Sequence, residues 1–91
     1  MVYAVTGAFT LDLATLAGIL SASQSSVFTA YFAANADYSL TISNAGNLKY
    51  VGSASDVAIT SAGLLLNIMM LKDASGNLTS IIQASKLEGG A

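Results

Sequence analysis

Five carboxylates (Asp12, Asp37, Asp56, Asp73 and Glu88) and three lysines (Lys49, Lys72 and Lys86) are all the charged side chains in this sequence. Histidine, cysteine and arginine are absent. Two carboxylates can form the acid pair of a glycosidase, and a buried lysine can form a Schiff base. The local patterns support neither. Four of the five acids sit at strand edges or turns, where carboxylates serve as solvated caps. Each lysine follows apolar residues at a strand or turn end. Without imidazole or thiolate, triads, Cys-based nucleophiles and His/Cys metal sites lack their parts. Neither GxGxxG nor GxxxxGK[ST] occurs. The expectation is a non-enzyme with no catalytic residue, no metal and no cofactor.

The densest polar knot is "DASGN", residues 73–77, inside "IMMLKDASGNLTSII". Asp73, Ser75 and Asn77 alternate like the first ligands of a calcium loop. An EF-hand needs glycine at position six and a bidentate Glu at position twelve. Counted from Asp73, glycine falls at position four and position twelve is Ala84. The knot therefore reads as a corner, with Asp73 and Ser75 bonding nearby amides and Gly76 in a left-handed conformation. Asn77-Leu78-Thr79 matches the N-glycosylation sequon. The start at "MVYAVTGAF" has no basic n-region or signal peptide, so the sequon is expected to go unused.

Charge excludes further classes. The net charge is −2, and three lysines cannot build a phosphate-reading groove. No nucleic-acid partner is expected, and an anionic membrane surface is disfavoured for the same reason. Between Asp12 and Asp37 lie 24 residues without a formal charge. Their length would allow a membrane span, but "SASQSS" at 21–26 places polar groups at its centre and no Lys or Arg flanks it. A surface buried against protein is the better reading.

The elements that would position such a surface follow from periodicity. "VYAVTG" and "FTLDLA" alternate and read as extended. In "VFTAYFAANA", 27–36, Val27/Tyr31 and Phe28/Phe32 fall at i, i+4, which points to a short helix capped by Ser23 or Ser26, although the aromatics and Thr29 also suit a strand. "DYSLTIS", turning at "NAGN" into "LKYVG", reads as a hairpin. "SAS", 53–55, reads as a loop and "DVAIT" as a short strand. "LLLNIMMLK", 64–72, is apolar on both faces, as a covered central strand would be, and pairs with "LTSIIQASK" around Asp73–Asn77. Leu64, Leu66, Ile68 and Met70 would share one face, and Leu65, Asn67, Met69 and Leu71 the other. Segment 26–36 would cover one face, leaving the other to a second layer or another subunit. The tail "EGGA" reads as flexible. "NAGNL" and "ASGNL" resemble each other at a spacing of 30, a weak sign of a repeated turn unit.

The expected fold is a single domain over residues 1–91. Its class is α+β, predominantly β, with antiparallel hairpins packed with one short helix. The alternative is an all-β sandwich. Hydrophobic residues make up 54% of the chain and charged ones 9%, against about 25% charged in an average domain. Ala, Gly, Ser and Thr supply 43 of the 91 residues, which accounts for part of that bias. The remainder asks for a cover by copies of the chain. The functional expectation is a structural, self-assembling protein, first a virion component (capsid or tail), with other structural proteins of the same particle as further partners. The alternatives are an extracellular or cell-surface filament or pilus subunit and a small protein-binding adaptor. The expected interface is Leu16, Ile19, Leu20, Val27, Phe28, Tyr31 and Phe32, with Asn67 fixing register.

Overall fold

The computed structural model describes residues 1–85 and 87. Lys86 and the "EGGA" end with Glu88, both named in the sequence expectations, lie outside the described residues. The fold is α+β and predominantly β, with one short α-helix. Its strands are β1 (Val2–Val5), β2 (Phe9–Asp12), β3 (Ser25–Ala34), β4 (Leu40–Ser43), β5 (Asn47–Val51), β6 (Leu64–Lys72) and β7 (Leu78–Ser85). Helix α1 spans Leu13–Ala17, and a 3-10 turn spans Ala54–Asp56.

Five strands form one mixed sheet in the order β1-β3-β6-β7-β5. The three long central strands run antiparallel, with Phe28 opposite Ile68 and Ile68 opposite Ile82. The short outer strands are each parallel to their neighbour, β1 to β3 and β5 to β7. β2 and β4 form a separate parallel pair, Leu11 opposite Ile42.

Side chains alternate across a strand, and burial follows that alternation in β6. Leu64, Leu66, Ile68 and Met70 are buried, whereas Leu65 and Asn67 are half-buried and Met69 and Leu71 exposed. The same parity runs through Phe28, Ala30 and Phe32 of β3 and Ile82 of β7. Leu11 of β2, Leu13 and Ala17 of α1, Leu20 and Ile59 complete that core, with Leu40 and Ile42 of β4 packed against it. Tyr3, Phe9 and Phe32 form an aromatic cluster with ring centroids 5.0–5.4 Å apart. The sheet thus has one covered face and one open face, and the all-β sandwich alternative does not apply.

Several expectations are corrected. Segment 27–36 is not a helix but most of β3. Phe28 and Phe32 share a face at a spacing of four in either geometry, and the strand wins because β6 supplies cross-strand partners along its length. It therefore lies beside β6 and does not cover it; α1 and the β2–β4 pair form the cover. The one α-helix starts at Leu13, where the Asp12 carboxylate accepts from Ala14 N at 3.0 Å, a standard N-cap. It also accepts from Asn44 Nδ2 at 3.2 Å. β4 and β5 do not form a hairpin, because "NAGN" sends the chain from the covering layer to the sheet edge. "SAS" enters the 3-10 turn, and "DVAIT" contributes only a single bridge, Ile59 to Tyr38. The β6–β7 hairpin around Asp73–Asn77 forms as expected.

Candidate interaction surface

The polar knot is a corner. Asp73 Oδ1 accepts from Ser75 N and Asn77 N, both at 2.9 Å, and Oδ2 accepts from Asn77 Nδ2 at 3.3 Å. Gly76 has φ +83° and donates to the Asp73 carbonyl. These amide donors, the Asn77 backbone bond foremost, hold the Asp73 carboxyl below its ordinary value of 3.8. Both carboxylate oxygens are committed to the turn, so none of this geometry is arranged for a cation.

Among the described residues, the other acids do not cluster. Lys72 donates to the Leu20 carbonyl at 3.0 Å and, with Lys72 N to Gln24 O and Ser23 N to Asp73 O, pins loop 20–24 to the end of β6. Among the described residues, no three His, Cys, Asp or Glu side chains come together to hold a metal. A cleft of about 200 Å³ lies between the 3-10 turn, Thr60 and Ser85, below the roughly 300–1,000 Å³ of ordinary ligand pockets. Asp56 is its sole titratable lining residue among those described. Among the described residues, no helix is long and apolar enough to cross a membrane.

What remains is the open face of the sheet. Register places its side chains in rows across the strands. One apolar row runs Val27, Met69, Ile81, ending at Lys49 on β5. The next is Thr29, Asn67, Gln83, Val51, and the third is Val2, Tyr31, Leu65, Ser85. Thr29 Oγ1 donates to Asn67 Oδ1 at 3.3 Å. Exposure is 76% at Val2, 62% at Val27, 48% at Val51 and 38% at Met69, and none of these belongs to the hydrophobic core. Lys49 is the one charged side chain in these rows, and the Met1 ammonium donates to the Thr29 carbonyl at 2.8 Å.

The expected interface residues divide between the two faces. Val27, Tyr31 and Asn67 lie on the open face. Leu20 and Phe32 are buried in the chain's own core, and Leu16 and Phe28 pack against it. Ile19 is 68% exposed but sits in the loop after α1, away from the sheet's rows. Four of the expected apolar residues in 13–36 thus pack within the chain, and the open face also carries Val2, Val51 and Ile81, which sequence reasoning missed. Their signal was strand parity, legible only once the pairing partners are known. Compared with known families, curated proteins and solved structures, the chain matches none.

Proposed function

We propose that this chain is a non-enzymatic structural subunit that assembles with copies of itself, with a virion as its first setting and an extracellular filament as the second. The observation that carries the reading is the open sheet face, where exposed Val2, Val27, Val51 and Met69 stand beside a single lysine. Several exposed apolar side chains on one sheet face are a mark of interaction sites. The virion setting is supported by composition: few charges and abundant small residues.

Sedimentation across a dilution series at micromolar concentration tests the assembly. The expected result is a defined oligomer or larger particle. A 9.2 kDa species at every concentration would overturn it. Electron microscopy of the native particle separates the settings: a shell or tail supports the first, and a free filament the second.

A further inference from the structure

We infer that the open face packs on the same face of a second copy about a two-fold axis running along the Thr29–Asn67–Gln83 row. This rests on the self-assembly reading and names its contact.

Area comes first. Five strands at about 4.8 Å spacing and 3.3 Å rise give a footprint of about 24 × 25 Å. That corrugated surface approaches the ~800 Å² per partner of a standard interface. Two such sheets stack at about 10 Å.

Rows come next. A rotation about the Thr29–Asn67–Gln83 row keeps each strand over its own copy and lays Val27 over the partner's Tyr31 and Met69 over its Leu65, apolar on apolar, with Ile81 over Ser85 at the side. The outer row Ser25–Leu71–Thr79 falls over the opposite outer row, with Ser25 over Ala33, small on small. The central row falls on itself. Hydroxyl and amide groups each donate and accept, so this row is self-complementary without a charge. Among the described residues, neither the Asn67 amide nitrogen nor the Gln83 side chain has a protein partner. A buried amide needs one, and the partner's copy of the row supplies it. The two Lys49 side chains lie two rows apart, about 13 Å along the strand direction, so the lysines do not meet.

Growth by strand addition is the competing geometry. The sheet's edges argue against it: β1 has four residues, β5 has five, and β5 carries Lys49. Short and charged edge strands resist pairing.

Sedimentation equilibrium of the full chain, of Asn67→Asp, of Asn67→Lys and of their equimolar mixture tests the axis. Asp at this position keeps the acceptor for Thr29, and circular dichroism checks the fold. Each variant alone should dissociate with a Kd raised at least about tenfold by like charge at the axis, and the mixture should reassociate. Val27→Glu, at a far more exposed position, gives a second reading should the Asn67 variants fail to fold, and should also dissociate. Wild-type assembly that persists in all variants overturns the face-to-face contact and leaves self-assembly standing by another surface. Variants that dissociate while their mixture stays dissociated overturn the axis along this row. A wild type that is monomeric throughout overturns both readings.

Discussion

Gly46 sits against the backbone of Leu78: a Cβ built at this position would strike the Leu78 carbonyl oxygen. Gly46 also has φ +66°, a conformation that L side chains rarely adopt. The contact brings the β4–β5 connection onto the first residue of β7, where the parallel β5–β7 pairing begins. Gly52 offers a control, with φ +84° and open space around it. Gly52→Ala should cost about 1–2 kcal/mol from backbone strain. Gly46→Ala should cost roughly 2–5 kcal/mol, because overpacking adds to the same strain. Urea unfolding of the two variants gives the difference directly. Equal losses would mean that the Leu78 contact relaxes without cost.

The two glycine-bearing turns also show what the sequence encodes and what it does not. "NAGNL" and "ASGNL" each lead into a strand, and both middle glycines have positive φ. The local resemblance is real, yet only the second makes a hairpin. The strands after the two turns, β5 and β7, lie side by side in parallel. Turn chemistry fixes a local bend but not the partner of the next strand, which non-local burial decides. The same holds for β1 and β2, read correctly as extended but paired with β3 and β4. The β6–β7 hairpin was legible because Asp73 closes its turn through local amide bonds and a long apolar run flanks it on each side. The two faces of β6 were legible for a related reason: strict alternation survives any choice of neighbour. Segment 27–36 was ambiguous because residues four apart share a face in both helix and strand. Of the open face, Asn67, Met69 and Leu71 could be read from β6 alone; Val2, Val51 and Ile81 needed the register.

Ser80 carries the second prediction. Its hydroxyl is fully buried on the core side of β7 and has no hydrogen-bond partner among the described residues. Register places it between Met70 and Leu48. An unpartnered buried hydroxyl costs about 1–3 kcal/mol. Ser80→Ala removes that cost with little loss of volume and should leave stability unchanged or raise it by about 1 kcal/mol. The urea midpoint, at unchanged slope, reports the change. A clear loss of stability would show that the hydroxyl is bonded in solution.

Asp73 predicts an acid limb. Its carboxyl lies below 3.8 in the folded chain, chiefly through the Asn77 amide and then those of Ser75 and Gly76. A depressed folded pKa gives stability that is present above the unfolded value and lost as pH falls through the folded one. Thermal midpoints should therefore fall as pH drops below about 4, and Asp73→Asn should flatten that fall. An unchanged acid slope in the variant would place the sensitivity in other carboxylates.

Ile68 and Met69 are neighbours on β6 with opposite surroundings, one fully buried and the other 38% exposed. They separate folding from association within a single strand. Ile68→Ala should destabilise the fold by about 2–5 kcal/mol, since it opens a cavity among Phe28, Ile82 and the covering layer. Met69→Ala should change the stability of the dissociated chain by less than about 1 kcal/mol while weakening assembly. Urea unfolding below the assembly concentration measures the first quantity and sedimentation the second. A large folding loss from Met69→Ala would mean that the open face is covered within the chain. Hydrogen exchange gives an independent check of the strand's position. β6 is bonded on both sides, by β3 and β7, so the amides of 65–71 should be among the last to exchange. Early exchange there, while β1 or β5 stays protected, would overturn β6 as the central strand.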